Sequence, residues 1–210
     1  MNIHDIYRPF LLHFRKRRMR QFQALFDVRD TDRIIDIGGG VFNWRLIDRT
    51  PSVVMVNIAA DEKGRVNGRF WKVKGDGRDL PYSDNSFDIA YSNSVIEHVG
   101  GWDDQMRFAA EVRRMAPRYY VQTPNRRFVV EPHLMAPFIH FLPRRVLRRL
   151  VRYASVWGWV VRPKQAEVDR VLDGITLLDE GQMRRLFPDA VILRERFAGM
   201  TKSIIAVRLG

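Results

Sequence analysis

Short apolar runs alternate with helical patterns over residues 33–122, and this alternation strongly restricts how the chain can fold. β-branched and other apolar residues that recur between amphipathic segments are typical of βαβ units, in which helices cover both faces of a mainly parallel sheet. We therefore predict an α/β fold. The predicted strands span residues 33–37, 53–58, 70–74, 87–91 and 119–122, and the helices between them span 42–49 and 103–115.

The two ends of the chain carry their own patterns. Within residues 1–30, an N-terminal helical segment, apolar residues recur at close to helical spacing from 5 to 26 and predict an amphipathic helix. Near the other end, apolar runs at 191–197 and 203–207 flank Ala198-Gly199-Met200-Thr201, which predicts an antiparallel hairpin. The length of 210 residues suits a single domain covering 1–210.

Residues 126–175 interrupt the alternation. Prolines, aromatic residues and arginines are concentrated there, and no strand–helix rhythm is recognisable. A helix predicted over 179–187 then resumes the pattern. We therefore predict that residues 126–175 form a helical cap insertion after the fifth strand, covering one end of the sheet.

A glycine turn follows the first predicted strand, in the sequence Asp36-Ile37-Gly38-Gly39-Gly40-Val41-Phe42. Such a turn lets a ligand approach the backbone closely, and the helix that begins beyond it offers free amide groups. Ligands of open sheets bind beyond the carboxyl ends of the strands, which is where this turn lies. Tight turns also use glycine for purely steric reasons, so the turn alone does not establish a site. No Gly-Lys-Ser/Thr ending follows, which argues against a P-loop.

A second, longer motif surrounds the fourth predicted strand. It begins Gly75-Asp76-Gly77-Arg78-Asp79-Leu80-Pro81-Tyr82-Ser83-Asp84-Asn85-Ser86-Phe87-Asp88 and continues through Ser92-Asn93 to Glu97-His98-Val99. This run resembles the small-molecule group of class I S-adenosylmethionine-dependent methyltransferases, often called the type 11 methyltransferase family. The resemblance is strong over residues 31–125. It implies a Rossmann-like fold with seven mainly parallel strands, an antiparallel terminal strand, and S-adenosylmethionine as cofactor.

The resemblance also implies roles for particular residues. The turn holding the methionine part of the cofactor would be formed by Asp36, Gly38 and Gly40. Asp76 would accept a hydrogen bond from the adenine amino group, with the Gly77 amide beside the ring. Ser92 and Asn93, at the end of the fourth strand, would lie close to the sulfonium.

Two positions depart from the family pattern. Phe42 replaces the third glycine, and Asn57 stands where an acidic residue normally grips the ribose hydroxyls. Asparagine still hydrogen-bonds a hydroxyl but lacks the charge-assisted strength of a carboxylate. Asp61 or Glu62, in the following turn, is an alternative ribose ligand. These departures bear on cofactor affinity more than on the fold.

The histidines supply one catalytic candidate. His133 follows the fifth strand, on the side of the expected acceptor pocket, and we predict that it is a general base for an acceptor hydroxyl. The alternative is a structural histidine that hydrogen-bonds the proline-rich loop. For His98 we favour a packing or positioning role. The five histidines are scattered along the sequence and cysteine is absent, so no metal site is predicted.

The net charge of +12 is concentrated in two segments. Arg15-Lys16-Arg17-Arg18 with Arg20 forms one cluster, and residues 144–164 hold seven basic residues and no acidic one. If Arg8 and its neighbours cover the mouth of the site, both clusters lie on one face, which would favour an anionic acceptor or an anionic membrane surface. Trp157-Gly158-Trp159 beside the second cluster is the composition of an interfacial segment. The alternative is a solvated face whose arginines are offset by nearby carboxylates.

We therefore expect methyl transfer to a small-molecule, sugar or lipid-linked acceptor that the sequence does not identify. An RNA methyltransferase is the charge-based alternative, but no RNA-recognition motif accompanies the domain, so nucleic acid is not the expected partner. A degenerate cofactor-binding fold that acts as a partner protein is the second alternative, motivated by Phe42 and Asn57. The apolar N-terminal residues precede the basic ones, opposite to a secretory signal, so a cytoplasmic protein, peripheral to a membrane at most, is expected.

Overall fold

A computed structural model describes residues 3–59, 64–66 and 68–210. The helices are α1 Ile3–Phe26, α2 Val41–Trp44, α3 Trp102–Met115, α4 Arg144–Ala154, α5 Val156–Val161, α6 Gln165–Asp173 and α7 Glu180–Leu186. The strands are β1 Arg33–Ile37, β2 Ser52–Asn57, β3 Gly64–Val66, β4 Phe70–Lys74, β5 Ile89–Asn93, β6 Arg118–Pro124, β7 Val130–Glu131, β8 Ala136–Pro137, β9 Val191–Phe197 and β10 Met200–Arg208. Single 3₁₀ turns occupy Ile96–His98 and Ile139–Phe141.

The main sheet has the strand order β3-β4-β2-β1-β5-β6-β10-β9. Strands β4, β2, β1, β5 and β6 pair in parallel, whereas β10 is antiparallel to both β6 and β9. The predicted Rossmann-like sheet of seven mainly parallel strands with an antiparallel terminal strand is therefore confirmed. The short strand β3, antiparallel to β4 at the sheet edge, adds an eighth that the sequence pattern does not predict.

Alternate residues of each strand are buried on opposite faces of the sheet, which explains the continuous apolar runs of the sequence. On one face Ile35 and Tyr119 pack with residues of α3 and α7. On the other face Ile34 and Tyr120 pack against α1 and α2. Phe22 of α1 meets this second core edge-on, with its ring centroid 5.7 Å from that of Tyr120. Helices thus cover both faces, as a parallel sheet requires.

The helix predicted over residues 42–49 is much shorter in the structure, where α2 ends at Trp44. The N–H groups of Arg45 and Leu46 donate to carbonyls three residues earlier, at 3.3 and 3.0 Å. This tightening to a 3₁₀ pattern ends the helix, because the four-residue repeat is lost. The apolar residues continue at helical spacing beyond Trp44, so the sequence pattern does not predict this early end of the helix.

The insertion of residues 126–175 contains α4, α5 and α6 as predicted, and also a small β7–β8 hairpin that was not predicted. It has its own apolar core, in which Leu134, Leu147 and Trp157 are buried. The insertion rejoins the sheet beside β5, where the Thr176 N–H donates to the Glu97 carbonyl at 2.7 Å. It therefore lies at the carboxyl end of the parallel strands.

Arg18 links the first helix to the far end of the sheet. Its guanidinium lies 3.0 Å from the Glu195 carboxylate of β9, and the two side chains are 8% and 5% exposed. It also donates to Gln122 at 2.8 Å and to Asn93. The sequence places Arg18 in a basic surface cluster, which is wrong for this residue, because its side chain is buried and its guanidinium donates to Glu195, Gln122 and Asn93.

We expect Glu195→Ala to lower the free energy of unfolding by about 3–5 kcal/mol, because it leaves the Arg18 cation buried without its carboxylate. Denaturant unfolding followed by circular dichroism measures this change. The control is Arg29→Ala, which removes a pair with Asp27 that is 74% and 86% exposed and should cost less than about 1 kcal/mol. Equal effects of the two substitutions would contradict the prediction.

Candidate functional site

A cavity of about 480 Å³ opens at the carboxyl ends of the parallel strands. Four strand ends contribute to its wall: Gly38 follows β1, Asn57 ends β2, Asp76 follows β4 and Ser94 follows β5. The cavity has the size of a small-molecule site, and it lies where open α/β sheets bind their ligands. The remaining lining residues are Ile37, Val56, Ile58, Gly75, Gly77, Arg78, Val95, His98, Val99, Gly100, Asp104 and Phe108.

The turn after β1 requires two of its three glycines for steric reasons. Gly38 has φ +79°, and a Cβ atom there would lie 2.3 Å from a methyl carbon of Val95. A Cβ on Gly39 would lie 1.8 Å from the Asp36 carboxylate. Nothing lies within 4 Å of the Cβ position on Gly40. Gly38 lines the cavity, whereas Gly40 is not among its lining residues.

Asp36 lies beneath this turn and is completely buried. Its Oδ2 accepts a hydrogen bond from the Trp44 indole at 2.7 Å, and its Oδ1 has no hydrogen-bond partner among the described residues. Burial raises the pKa of Asp36 to about 7, although the Trp44 bond acts in the opposite direction. In this arrangement Asp36 supports the glycine turn from below and does not line the cavity.

Asn57 and Asp76 lie on the cavity wall as predicted, but both already have hydrogen-bond partners. Asn57 Oδ1 accepts the Ala59 N–H at 3.0 Å, which leaves the Asn57 amide N–H groups as donors for a ligand. Arg78 occupies both Asp76 oxygens through its guanidinium and also donates its backbone N–H. These hydrogen bonds from Arg78 hold the pKa of Asp76 below its usual range. The alternative ribose ligands Asp61 and Glu62 lie outside the described residues.

Gly77 is also required by packing. A Cβ atom there would lie 2.6 Å from the Ile37 side chain and 2.9 Å from the ring of Phe108. The glycine lets the loop after β4 approach the end of β1 closely, and its backbone therefore forms part of the cavity wall. The predicted position of the Gly77 amide beside a ligand ring is compatible with this geometry, and the contact itself stays a prediction.

Ser92 and Asn93 do not line the cavity. Ser92 is completely buried and donates to the Ile37 carbonyl at 3.1 Å, so it ties β5 to β1. The side-chain Oδ1 of Asn93 accepts a hydrogen bond from the Arg18 guanidinium. The cavity residue is Ser94, one step beyond, with φ +58°. Ser94 is the first residue after β5, so its side chain no longer follows the alternation of the strand. Its position directly after the strand is the sequence feature that could have identified it.

A second cavity, of about 250 Å³, adjoins the first at Ser94, which lines both. Its wall is mainly apolar and comes from the ends of β6 and β10 and from the β7–β8 hairpin. Two adjacent cavities with a shared wall suit a reaction between two bound molecules. The apolar residues that line the second cavity are Pro124, Phe128, Val130, Pro132, Met135 and Phe197.

His133, the predicted general base, is not among the residues that line the first cavity; it contacts His98, which is. Its Nδ1 is 2.6 Å from Glu131 Oε1, and its Nε2 is 3.1 Å from Nε2 of His98. Burial lowers the pKa of His133, but the Glu131 carboxylate outweighs this effect and the net shift is upward. His98 is the histidine that lines the cavity. Histidines that are scattered in the sequence are thus in contact in the structure, and no local pattern indicates it because 35 positions separate them.

Glu97 lies next to this pair and is completely buried. Its Oε2 accepts from the Thr123 hydroxyl at 3.0 Å, while its Oε1 has no hydrogen-bond partner among the described residues. Burial raises the pKa of Glu97 to about 7. Three groups able to ligate or exchange protons therefore converge at the edge of the cofactor-sized cavity, which the sequence analysis did not predict.

Comparison with known proteins bears on this arrangement. A family model described as "Methyltransferase domain" matches residues 36–118. Two uncharacterized proteins of Mycobacterium tuberculosis, from strains CDC 1551 / Oshkosh and ATCC 25618 / H37Rv, are each 32% identical over 94 residues. These matches cover 39% of this chain and 32% of each relative, so the chain spans about a third of the length of the curated relatives it matches.

Solved structures share the fold at low identity. A SAM-dependent methyltransferase from Aquifex aeolicus is 11% identical with a TM-score of 0.51, over 90% of this chain and 87% of that one. A putative sarcosine dimethylglycine methyltransferase from Galdieria sulphuraria is 17% identical with a TM-score of 0.56, over 85% and 62%. A putative Zn-dependent alcohol dehydrogenase from Rhodobacter sphaeroides is 10% identical with a TM-score of 0.58, over 90% and 88%. At these identities the likeness shows the fold alone.

The sheet order, the glycine turn and the family match together define the class of the domain. The chain has the Rossmann-like α/β fold shared with solved methyltransferases, and its residues 36–118 match the methyltransferase-domain model. The resemblance recognised in the sequence is confirmed over residues 36–118, which match the methyltransferase-domain model.

The buried carboxyl of Asp36 gives a prediction for stability. Its folded pKa of about 7 exceeds the ordinary 3.8, so between these values the folded protein retains a proton that the unfolded chain loses. Stability therefore falls as pH rises, by about 1 kcal/mol per pH unit for this group. In Asp36→Asn this component should disappear between pH 5 and 7 relative to wild type, as measured by urea unfolding. Asp76→Asn, whose pKa is lowered, should leave the slope in that window unchanged; equal changes in both variants would contradict the assignment.

Proposed function

We propose that the chain transfers a methyl group from S-adenosylmethionine to an acceptor bound in the second cavity. The observation that carries this proposal is the pair of cavities that meet at Ser94, one at the ends of β1, β2, β4 and β5 and the other beneath the β7–β8 hairpin. S-Adenosylmethionine supplies an already activated methyl group when it is bound. The protein has only to align the acceptor with that group and to exclude water.

The cofactor fits the residues of the first cavity. Gly38 leaves its backbone open to a ligand, and the Asn57 amide offers donors at the position where ribose hydroxyls are expected. Asp76 holds Arg78 against the cavity wall, and Arg78 also donates to Asp104 at 2.9 Å. The adenine contact proposed for Asp76 requires Arg78 to release one carboxylate oxygen, so the cofactor competes with an existing ion pair at this point.

The second cavity favours an acceptor with an apolar body. Most of its exposed wall is apolar, although six of its twelve lining residues are polar or charged: Arg18, Ser94, Gln122, Asn125, Lys202 and Ser203. An apolar lining of about 250 Å³ accommodates a small molecule or the reactive end of a lipid-linked one. RNA methylation stays the alternative that the net charge of the chain suggests.

Asn57 provides the test of the cofactor site. We expect S-adenosylmethionine to bind the wild type, Asn57→Ala to weaken binding by about 1 kcal/mol, or roughly fivefold, and Asn57→Asp to tighten it through charge-assisted hydrogen bonds to the ribose. Isothermal titration calorimetry with S-adenosylmethionine and S-adenosylhomocysteine measures all three affinities. A general loss of stability would weaken binding in both variants, whereas a direct ligand contact predicts that Asn57→Ala weakens binding and Asn57→Asp tightens it.

A wild-type protein that binds neither compound at millimolar concentration would overturn the proposed function and would favour the degenerate, partner-protein alternative. Binding that is identical in all three proteins would leave the cofactor in place but remove Asn57 from its site.

We further propose that the insertion contacts an anionic membrane surface. Eight large apolar side chains are exposed within residues 138–161, half of the sixteen such residues in the described chain. On α4, Val146, Leu150 and Tyr153 recur on one side of the helix at the spacing of a single stripe. No helix within the described residues is long and apolar enough to cross a bilayer. The eight residues are Phe138, Phe141, Leu142, Val146, Leu150, Tyr153, Trp159 and Val161.

Positive charge accompanies this apolar stripe. Arg145, Arg149 and Arg152 are exposed, and no ion pair among the described residues involves them. In contrast, Arg144 and Arg148 pair with Asp173 at 2.9 and 2.7 Å, so these two arginines are offset by carboxylates. The three arginines beside exposed apolar side chains are complementary to anionic lipid headgroups, which attract surface cations and accept apolar side chains at their boundary.

Only part of the predicted two-cluster face is present in the structure. Helix α5 contacts α1, so the two basic segments are neighbours. Lys16 and Arg17 of α1 are exposed, whereas Arg18 points inward to Glu195 and cannot serve a surface. The side chain of Arg8 lies outside the described residues.

We expect co-sedimentation with vesicles containing anionic lipid to exceed that with pure phosphatidylcholine vesicles at low salt, and the difference to shrink as salt screens the charges. The combined variant Leu150→Ser, Tyr153→Ser, Trp159→Ser should lose binding by about tenfold or more, because each exposed apolar side chain contributes about 1 kcal/mol on insertion. The matched control changes three equally exposed apolar residues elsewhere, Met106, Val191 and Leu209, to serine. Equal retention on both vesicle types would exclude the membrane role.

A further inference from the structure

The imidazoles of His98 and His133 are held with their Nε2 atoms facing each other at 3.1 Å. Each ring is fixed through its other nitrogen. His98 Nδ1 lies 3.1 Å from the carbonyl oxygen of Gly174, and His133 Nδ1 lies 2.6 Å from the carboxylate of Glu131. Since a carbonyl oxygen and a carboxylate only accept hydrogen bonds, both Nδ1 atoms carry the ring proton when the rings are neutral.

This tautomer leaves a lone pair on each Nε2, and the two lone pairs point into the same space. Two unprotonated nitrogens at 3.1 Å repel unless something positive lies between them: either an extra proton or a metal ion. Histidines that ligate metals characteristically donate their second ring N–H to a carboxylate or a backbone carbonyl, which fixes the tautomer and the ring orientation. Here Glu131 supplies the carboxylate for His133, and Gly174 supplies the backbone carbonyl for His98.

Glu97 supplies a third ligand of suitable chemistry. One ligand atom from each of Glu97, His98 and His133 lies within 4.8 Å of the others. Glu97 is completely buried, and its Oε1 has no hydrogen-bond partner among the described residues although Thr123 binds Oε2. A buried carboxylate with an unused oxygen is costly unless it meets a cation.

We propose that Glu97, His98 and His133 form a binding site for a divalent transition-metal ion of the zinc type. Two imidazoles and one carboxylate are a recognised ligand set for Zn²⁺ sites that keep one position open. With Zn–N bonds of about 2.0–2.1 Å and tetrahedral angles, two nitrogens lie about 3.3 Å apart, close to the 3.1 Å between the two Nε2 atoms. The Glu97 oxygen, within 4.8 Å of the other ligand atoms, completes the set once it moves about 1.5 Å closer.

His98 lines the first cavity together with Ser94, and Ser94 also lines the second, so the ion would lie near the junction of the two cavities. The catalytic consequence rests on the proposed function. An acceptor hydroxyl that coordinates the ion there loses its proton to solvent at a lower pH than in water. Its oxygen then forms the O–C bond as the methyl C–S bond of the cofactor breaks, which leaves S-adenosylhomocysteine. With an ion bound at this site, the acceptor would therefore be a compound that carries a hydroxyl group.

The test measures metal binding directly, without turnover. Protein cleared of metal with a chelator is titrated calorimetrically with Zn²⁺, and with Co²⁺ so that its visible absorption reports the coordination. The expected result is one ion per chain with tetrahedral Co²⁺ absorption. His98→Ala and His133→Ala should each weaken binding by at least about 100-fold, and Glu131→Gln by about 10–100-fold, the usual effect of losing a carboxylate partner of a ligating histidine.

His13→Ala is the matched control and should not change the affinity, since His13 is an exposed histidine whose ring contact among the described residues is to Phe14. Thermal unfolding shows whether each variant is folded; if either alanine variant is not, Glu97→Gln serves in its place with the same expected loss. Unchanged affinity in folded variants, or no binding by the wild type, would overturn the proposal and leave a shared proton between the rings.

Titration of the same metal-free proteins with S-adenosylmethionine distinguishes this failure from that of the proposed function. If the cofactor binds while no ion does, only the metal site is wrong. If the ion binds while the cofactor does not, the site stands and the proposed methyl transfer is wrong. Both titrations therefore give an interpretable result independently of the acceptor.

Discussion

The parallel pairing of β1 with β2 and β5 is the constraint on which the rest of the structure depends. Because helices cover both faces of β1, a ligand can reach this strand only at its carboxyl end. The neighbouring strands end at the same edge, so short polar residues that are distant in sequence meet there. The glycine turn is a second consequence, since Gly38 and Gly39 have no room for a side chain once the turn has folded back over Asp36. Support for the fold and access for a ligand thus come from the same few residues.

The sequence predicted the layers of the fold well, because hydrophobic alternation is a local signal that each strand carries by itself. It predicted the site less well. The family pattern points to Ser92, whereas the residue that lines the cavity is Ser94, because two residues along the chain separate a side chain within the sheet from one beyond its end. Arg18 was placed on the surface because charge patterns say nothing about a partner 177 residues away. The contact between His98 and His133 needed the insertion to fold back on the sheet, which no local pattern encodes.

Buried carboxylates near the edge of the cavity lower the free energy of unfolding. Asp36 and Glu97 are completely buried, and each has one carboxylate oxygen without a hydrogen-bond partner among the described residues. Elsewhere in the described chain buried charges such as Arg18 and Glu195 are matched closely. Unmatched polar groups are costly, and folded proteins retain them mainly at functional positions. Of the five described side chains with such a buried atom, the two carboxylates, Asp36 and Glu97, both lie near the carboxyl ends of β1 and β5, which supports the location of the site independently of the family match.

The position of β10 between β6 and β9 has a consequence for how the chain is made. During synthesis residues emerge in order from the ribosome, and a chain that ends before residue 191 lacks both strands that complete the sheet beyond β6. Until then β6 has an open hydrogen-bonding edge, and Arg18 lacks the Glu195 carboxylate that anchors the first helix. An unpaired strand edge and a loose apolar helix are the features that chaperones bind and that promote aggregation. Nascent chains therefore remain vulnerable until residues 191–208 have emerged, and the first helix becomes fixed only when the β9–β10 hairpin has closed.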